Sequence, residues 1–244
     1  MNWRIHSLER TESTNRDARG GRPGDVFTAE WQSAGRGRLD HRWLSPPGVN
    51  LLISVVLPCA GQGPEAVATL PLVAGLAVAR AARDLIGKAG GKDALKVAIK
   101  WPNDVLVAGR KLAGILCERV GETVIVGIGV NVGAAEFPPE IAARAVSLAQ
   151  LVPPGRVPGV AGVRDRVLAE LDACHRVWAA AGFGALRPEI DSLDCLRGRL
   201  VTVRGTDADE AGVKGVANGI SLDGSLTVGD RKVYAGEAHV EEIE

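Results

Sequence analysis

Three short segments carry residue types that could do chemistry on an anion. Gly35-Arg36-Gly37-Arg38 sets two guanidinium groups among glycines, and Lys100-Trp101-Pro102-Asn103-Asp104 and Arg110-Lys111-Leu112-Ala113-Gly114 follow downstream. Glycine lets a backbone come close to a ligand, and guanidinium groups offer forked donors to phosphate or carboxylate oxygens. Together the segments suit a site for a nucleotide and an anionic small molecule. Taken alone, GRGR would equally suit a solvated surface turn. Two common nucleotide signatures are missing. There is no GxxxxGK[ST], and Gly127-Ile128-Gly129-Val130-Asn131-Val132-Gly133 has three residues, not two, between its last glycines and runs into Ala-Ala-Glu-Phe-Pro-Pro. A nucleotide site here must be of another design.

The elements that must position these residues follow from periodicity. Residues 3–8 and 25–31 read as strands, with Ser13 and Thr14 as caps of a short helix ending at Gly20-Gly21. Residues 50–57 are too continuously apolar for a half-exposed strand and read as buried, and residues 65–88 read as a helix. The runs 95–100, 104–107, 111–120 and 123–132 are short and β-rich, and the last three suggest antiparallel hairpins turning at Ala108-Gly109 and Gly121-Glu122. After a proline-punctuated loop, residues 159–182 read as an amphipathic helix. From Cys195 the pattern changes to four or five short strands joined by Gly/Asp turns, a small all-β barrel. Mixed strands, helices and hairpins make the main domain α+β rather than a doubly wound parallel sheet.

Composition narrows the function classes. A chain of 244 residues with 46% hydrophobic and 24% charged residues is globular, and 29 Lys+Arg against 29 Asp+Glu argues against general attraction to nucleic acid or an anionic membrane. The start, Met1-Asn2-Trp3-Arg4-Ile5, lacks a signal-peptide pattern, and the apolar run 66–79 contains Pro71 and leads into Arg80 and Arg83, as a buried helix would. Cys59, Cys117, Cys174 and Cys195 form no CxxC pair, which suits a reduced, cytoplasmic setting. His6, His41, His175 and His239 are scattered without a paired nucleophile or ligand and read as surface or structural residues.

The chain resembles the biotin protein ligases. The matching features run in order: Ser13-Thr14-Asn15, Glu30-Trp31-Gln32 leading into Gly35-Arg36-Gly37-Arg38, Arg42-Trp43, Lys100 to Asp104, Arg110 to Leu116, and Gly127 to Asn131. The resemblance implies a mixed-sheet catalytic domain of the biotin/lipoate ligase type over residues 1–194 and an SH3-like β-barrel over 195–244. It also implies MgATP and biotin as substrates, with no tightly bound prosthetic group. Biotin would be activated to biotinyl-5′-AMP and passed to a lysine of a biotin carboxyl carrier protein or domain, with no DNA or membrane partner.

By the same resemblance Lys111 neutralises the biotin carboxylate and the phosphate, and Arg36 and Arg38 order over the intermediate with Gly35 and Gly37 admitting it. Ser13, Thr14, Asn15 and Gln32 line the biotin pocket, a chemistry suited to a neutral ureido ring, with Gly114 and Gly127 leaving room. Arg38, Trp43, Lys100, Asn103, Asp104, Lys111 and Asn131 form the ATP side, with Asp104 also a magnesium ligand. Trp43 and Trp101 either cover the ligand or belong to the core. Asp104 equally suits a turn cap, and Ser13 and Thr14 equally suit helix capping.

Leu39-Asp40-His41 departs from the small residue common in the family after the second loop arginine and brings a negative charge toward a phosphate loop. Asp207, Asp209 and Glu210 read as a solvated turn. The alternatives are a biotin-responsive repressor, for which no helix-turn-helix is expected ahead of the first strand, a lipoate or octanoate transferase of related fold, and a protein that makes the adenylate without transferring it.

Overall fold

The computed structural model describes residues 1–39, 41–205 and 212–241. The expectations for Asp40 and for Asp207, Asp209 and Glu210 fall outside these residues. Seven strands build the main sheet: β1 (Arg4–Thr11), β2 (Asp25–Gln32), β3 (Leu51–Pro58), β4 (Val97–Lys100), β5 (Asp104–Val107), β6 (Arg110–Val120) and β7 (Thr123–Val130). Their order is β1-β2-β3-β7-β6-β5-β4, with β1–β2 the parallel pair and the other pairs antiparallel. The hairpins turn where expected, with Ala108, Gly109 and Gly121 at positive φ.

The helices are α1 (Thr14–Asp17), α2 (Pro64–Ala68), α3 (Leu70–Lys88), α4 (Pro139–Ala142), α5 (Leu148–Leu151), α6 (Val160–Ala181) and α7 (Arg187–Leu193). The expected helix over 65–88 is divided at Thr69, whose hydroxyl donates to the Ala66 carbonyl at 2.6 Å and accepts from Trp178 Nε1 at 3.0 Å. Pro71, without an N–H, falls in the first turn after the break, where none is needed. The run Pro64–Lys88 is long and apolar enough to cross a membrane, but 72% of its most apolar window is buried in the fold, where α3 packs against α6 and the sheet. Ser13 occupies the N-cap of α1 without a side-chain capping bond.

Strand β3 is buried nearly end to end because both its faces are covered. Leu51, Ile53, Val55 and Leu57 join the main core, while Val56 packs with Ala18, Ile125 and Phe27 on the opposite face. Strand alternation puts Leu52, Ser54 and Val56 on that opposite face. Register then sets three cross-strand rows there: Leu52-Gly129-Gly114, Ser54-Gly127-Leu116 and Val56-Ile125-Glu118. Glycines at the centre of a buried sheet leave a trough on its surface.

The C-terminal strands are β8 (Leu200–Arg204), β9 (Val213–Ile220), β10 (Leu226–Val228), β11 (Arg231–Val233) and β12 (Glu237–Val240). They form an all-antiparallel sheet of order β11-β10-β9-β8-β12, so the fold is α+β with a small second β unit. This unit is not independently packed. Val201, Val203, Ala217 and Ile220 belong to the same hydrophobic cluster as the main core, and Trp101 Nε1 donates to the Gly224 carbonyl at 2.9 Å.

Candidate functional site

The trough opens into one cavity between the main sheet, the loop after β2 and the start of β12. Ser13, Thr14, Asn15, Gln32, Arg36, Gly37, Arg38, Trp43, Lys100, Asn103, Asp104, Lys111, Gly114 and Gly127 all line it. Two expected residues do not. Asn131 is buried, and its amide donates to the carbonyls of Lys111 (3.3 Å) and Val146 (3.2 Å), so it clamps the strand that carries Lys111 instead of facing a nucleotide. Gly35 borders a second, outer hollow on the far side of the loop. There is no space for a side chain there, since a Cβ on Gly35 would meet the Trp43 carbonyl oxygen at 2.5 Å.

The floor is a hydrogen-bonded chain. The backbone N–H and hydroxyl of Thr14 both donate to Gln32 Oε1 (2.8 and 3.1 Å), which leaves the Gln32 N–H groups for a ligand. Ser54 Oγ contacts Thr14 Oγ1 at 2.7 Å and donates to Asn15 Oδ1 at 2.6 Å, and Asn15 Nδ2 donates to Glu118 Oε2 at 2.7 Å. The Asn15 carboxamide lies over Gly127: a Cβ on that glycine would fall 2.9 Å from Asn15 Cγ. Trp43 likewise lies over the Gly114-Gly129 pair, since a Cβ on Gly129 would fall 2.5 Å from its ring. The glycines expected to admit the ligand therefore admit Asn15 and Trp43, which in turn form the wall. Trp43 Nε1 is buried and has no hydrogen-bond partner among the described residues. Trp101 is almost fully buried and structural.

Lys111 is carried by β6 just before a bulge at Leu112 in its pairing with β5. Its Nζ lies 2.7 Å from Asp104 Oδ1 and 5.7 Å from the Trp43 ring centre. Asp104 Oδ1 is buried and accepts no aligned hydrogen bond from the described residues, so this contact is an ion pair. Across the cavity Arg38 donates to the Gly236 carbonyl at 3.2 Å. Burial draws the Arg38 guanidinium below its usual range, against the charges of Asp104 and Glu237. Leu39, next in the loop, takes φ 53, a left-handed conformation that costs a non-glycine residue roughly 1 kcal/mol and marks where a small residue would fit more easily. The loop closes through Gly37 N–H to the His41 carbonyl (2.7 Å), so His41 contributes its backbone there. His175 is buried and bonded to the Pro58 carbonyl at 3.1 Å, and His6 stacks on Phe27.

Ser54, Glu118 and Glu237 were not singled out in the sequence, and Gly129 only as part of the run from Gly127 to Asn131. A polar residue inside the apolar run Leu51 to Leu57 was a usable signal for Ser54, and Glu118 lies at even spacing from Gly114 on the same strand. Nothing local marks Glu237, which reaches the cavity from the C-terminal sheet. Among the described residues no group of three or more His, Cys, Asp or Glu is arranged to hold a metal. Asp104 and Glu237 are carboxylates on the cavity wall. That donor set fits a magnesium ion held mainly through nucleotide phosphates, since Mg²⁺ is usually bound by one or two carboxylates plus substrate oxygens.

An α+β fold whose cavity joins amide and hydroxyl donors to Arg and Lys side chains defines a site suited to an uncharged polar group next to an anion. The model of the biotin/lipoate A/B protein ligase family matches residues 7–134. The chain belongs to that family. It is 37% identical over 191 residues to the biotin–[acetyl-CoA-carboxylase] ligase of Mycobacterium tuberculosis, covering 73% of this chain and 67% of that one. It is 44% identical over 115 residues to the bifunctional ligase/repressor BirA of Salmonella typhimurium, covering 45% of this chain but 33% of that protein, so the match spans about a third of such relatives. The biotin protein ligase of Aquifex aeolicus in complex with biotin and ATP superposes with a TM-score of 0.81 at 27% identity, covering 98% of this chain and 99% of that one.

Proposed function

We propose that this chain joins biotin to AMP at the expense of ATP and then transfers biotin to a lysine of a biotin carboxyl carrier protein or domain. The observation that carries the reading is the convergence of Lys111 and Arg38, with Arg36 at the rim, on one cavity whose floor is Ser13, Thr14, Asn15 and Gln32. Biotin's ureido ring would lie on that floor, with the Gln32 N–H groups toward its carbonyl, and its carboxylate would point toward Lys111. A carboxylate oxygen attacks the α-phosphorus, the bond to pyrophosphate breaks, and biotinyl-5′-AMP forms. Two anions must meet, so preplaced cations lower the barrier. Lys111 would exchange Asp104 for the reacting oxygens, and Arg38, Trp43, Lys100 and Asn103 would hold the nucleotide. Asp104 would hold magnesium, whose contribution when bound would be to neutralise phosphate charge. In the second step the acceptor amine attacks the acyl carbon and AMP leaves with the bonding pair. Exclusion of water by the loop then matters more than a strong base.

In this reading residues 1–194 form the catalytic domain and 195–244 cover the nucleotide side through Gly236 and Glu237. The test is incubation with MgATP, biotin and a carrier domain, read by intact mass. One added biotin per carrier is expected, with lipoate and octanoate failing as donors. Comparable transfer of either alternative acid would overturn the assignment.

A further inference from the structure

Glu118 ends the third row of the trough, outside the cavity but bordering the outer hollow behind the loop. Its carboxylate is mostly buried, with the side chain 19% exposed, and it gathers three donors. Oε2 accepts from Asn15 Nδ2 at 2.7 Å, and Oε1 meets Arg19 at 3.0 Å and Arg36 at 3.3 Å. Arg36 borders both the cavity and the outer hollow. We propose that Glu118 is a positioning residue: it fixes which way the Asn15 carboxamide faces and holds Arg36 at the outer side of the loop until an anionic ligand competes for that guanidinium.

The first half follows from donor and acceptor counting. Burial alone would raise the Glu118 pKa, but the Asn15 N–H, the Arg19 bond and the Arg36 charge outweigh it and hold it below the usual range. An ionised carboxylate only accepts, so the Asn15 atom facing it must be the NH₂ group. Asn15 Oδ1 is thereby turned to the Ser54 hydroxyl, with a second lone pair left for a ligand N–H. The second half follows from geometry and charge. Arg36 is more than half exposed, so its pairing with Glu118 is weak enough to be exchanged. A phosphate or adenylate in the cavity offers the same guanidinium a forked acceptor. One carboxylate thus links the orientation of the ring-binding amide to the resting position of the loop.

The ligand side of this inference rests on the biotin reading above, whereas the loop side does not. The experiment compares wild type, Glu118→Gln, Glu118→Ala, Arg36→Gln and the Glu118→Gln/Arg36→Gln double variant. In ligand-free protein, amide hydrogen exchange over residues 33–43 should quicken about fivefold in each Gln variant, the scale of an exposed ion pair, and no further in the double. In calorimetric titration with biotin, Glu118→Gln, which still accepts from Asn15, should bind within about threefold of wild type, while Glu118→Ala should lose about tenfold or more. Unchanged loop exchange in Glu118→Gln, an additive rise in the double, or equal biotin affinity of the Gln and Ala variants overturns the proposal. Should Glu118→Ala fail to fold, the exchange comparison decides alone. Wild-type protein that bound no biotin would defeat the functional reading and leave the exchange measurement as the test of the latch.

Discussion

Replacing Gly127 by Ala tests the construction of the cavity floor. The new Cβ would fall 2.9 Å from Asn15 Cγ and nearer still to its carboxamide oxygen. Ordinary contact requires about 3.5 Å, and the oxygen is the closer atom, so Asn15 must move by more than about an ångström. Asn15 is only 5% exposed and is held at 2.6 Å to Ser54 and 2.7 Å to Glu118, so the shift stretches both bonds. Overpacking of this kind costs about 1–3 kcal/mol, and weakening a bond to a charged acceptor adds to it. Unfolding free energy should fall by about 2–4 kcal/mol, and biotin affinity by about 10- to 100-fold as the polar lining is displaced. Urea unfolding and calorimetric titration measure the two effects. Asn15→Ala combined with Gly127→Ala removes the clash, so the double variant should be more stable than the sum of the singles by at least about 1 kcal/mol. Additive singles, or a Gly127→Ala protein that binds biotin like wild type, would falsify the assignment of that glycine to Asn15.

Lys111→Gln should slow biotin-dependent pyrophosphate exchange by on the order of 10²- to 10³-fold with folding intact, as expected for loss of a preplaced charge; a wild-type rate would leave Lys111 as a surface lysine. Asp25 is buried at the start of β2, and although burial alone would raise its pKa, bonds from the Arg22 N–H, His6 and Arg4 hold it at about 2 against an ordinary 3.8. Because the folded value is the lower one, its stabilisation is complete above about pH 4 and is lost as pH falls toward 2; Asp25→Asn should remove about 2 kcal/mol of that acid dependence, and urea unfolding from pH 5 to 2 with unchanged slope would contradict it. Truncation after Leu193 should expose the core shared with β8 and β9 and lower the melting temperature as well as activity. A truncated protein with wild-type melting and transfer kinetics would refute both expectations.

The residue types determined much of this protein without a structure. Continuous apolar runs marked buried strands, glycine turns marked the hairpins, and the ordered segments from Ser13 to Gly127 named most of the residues that meet at the cavity. These are local signals, set by side-chain period, turn conformation and chemical type. Tertiary structure alone decided the rest. Asn131 looked like a ligand residue, but its amide is spent on two backbone carbonyls brought together by the chain after β7. Gly127 looked like space for a ligand, but register sets it beside Ser54 and under Asn15. Glu118 and Glu237 acquire their parts from Arg36, Asn15 and Arg38, far away in the chain. Strand register and long-range packing leave no local period in a sequence, and the donor or acceptor that a polar group has left for a ligand depends on neighbours that only the folded chain brings within reach.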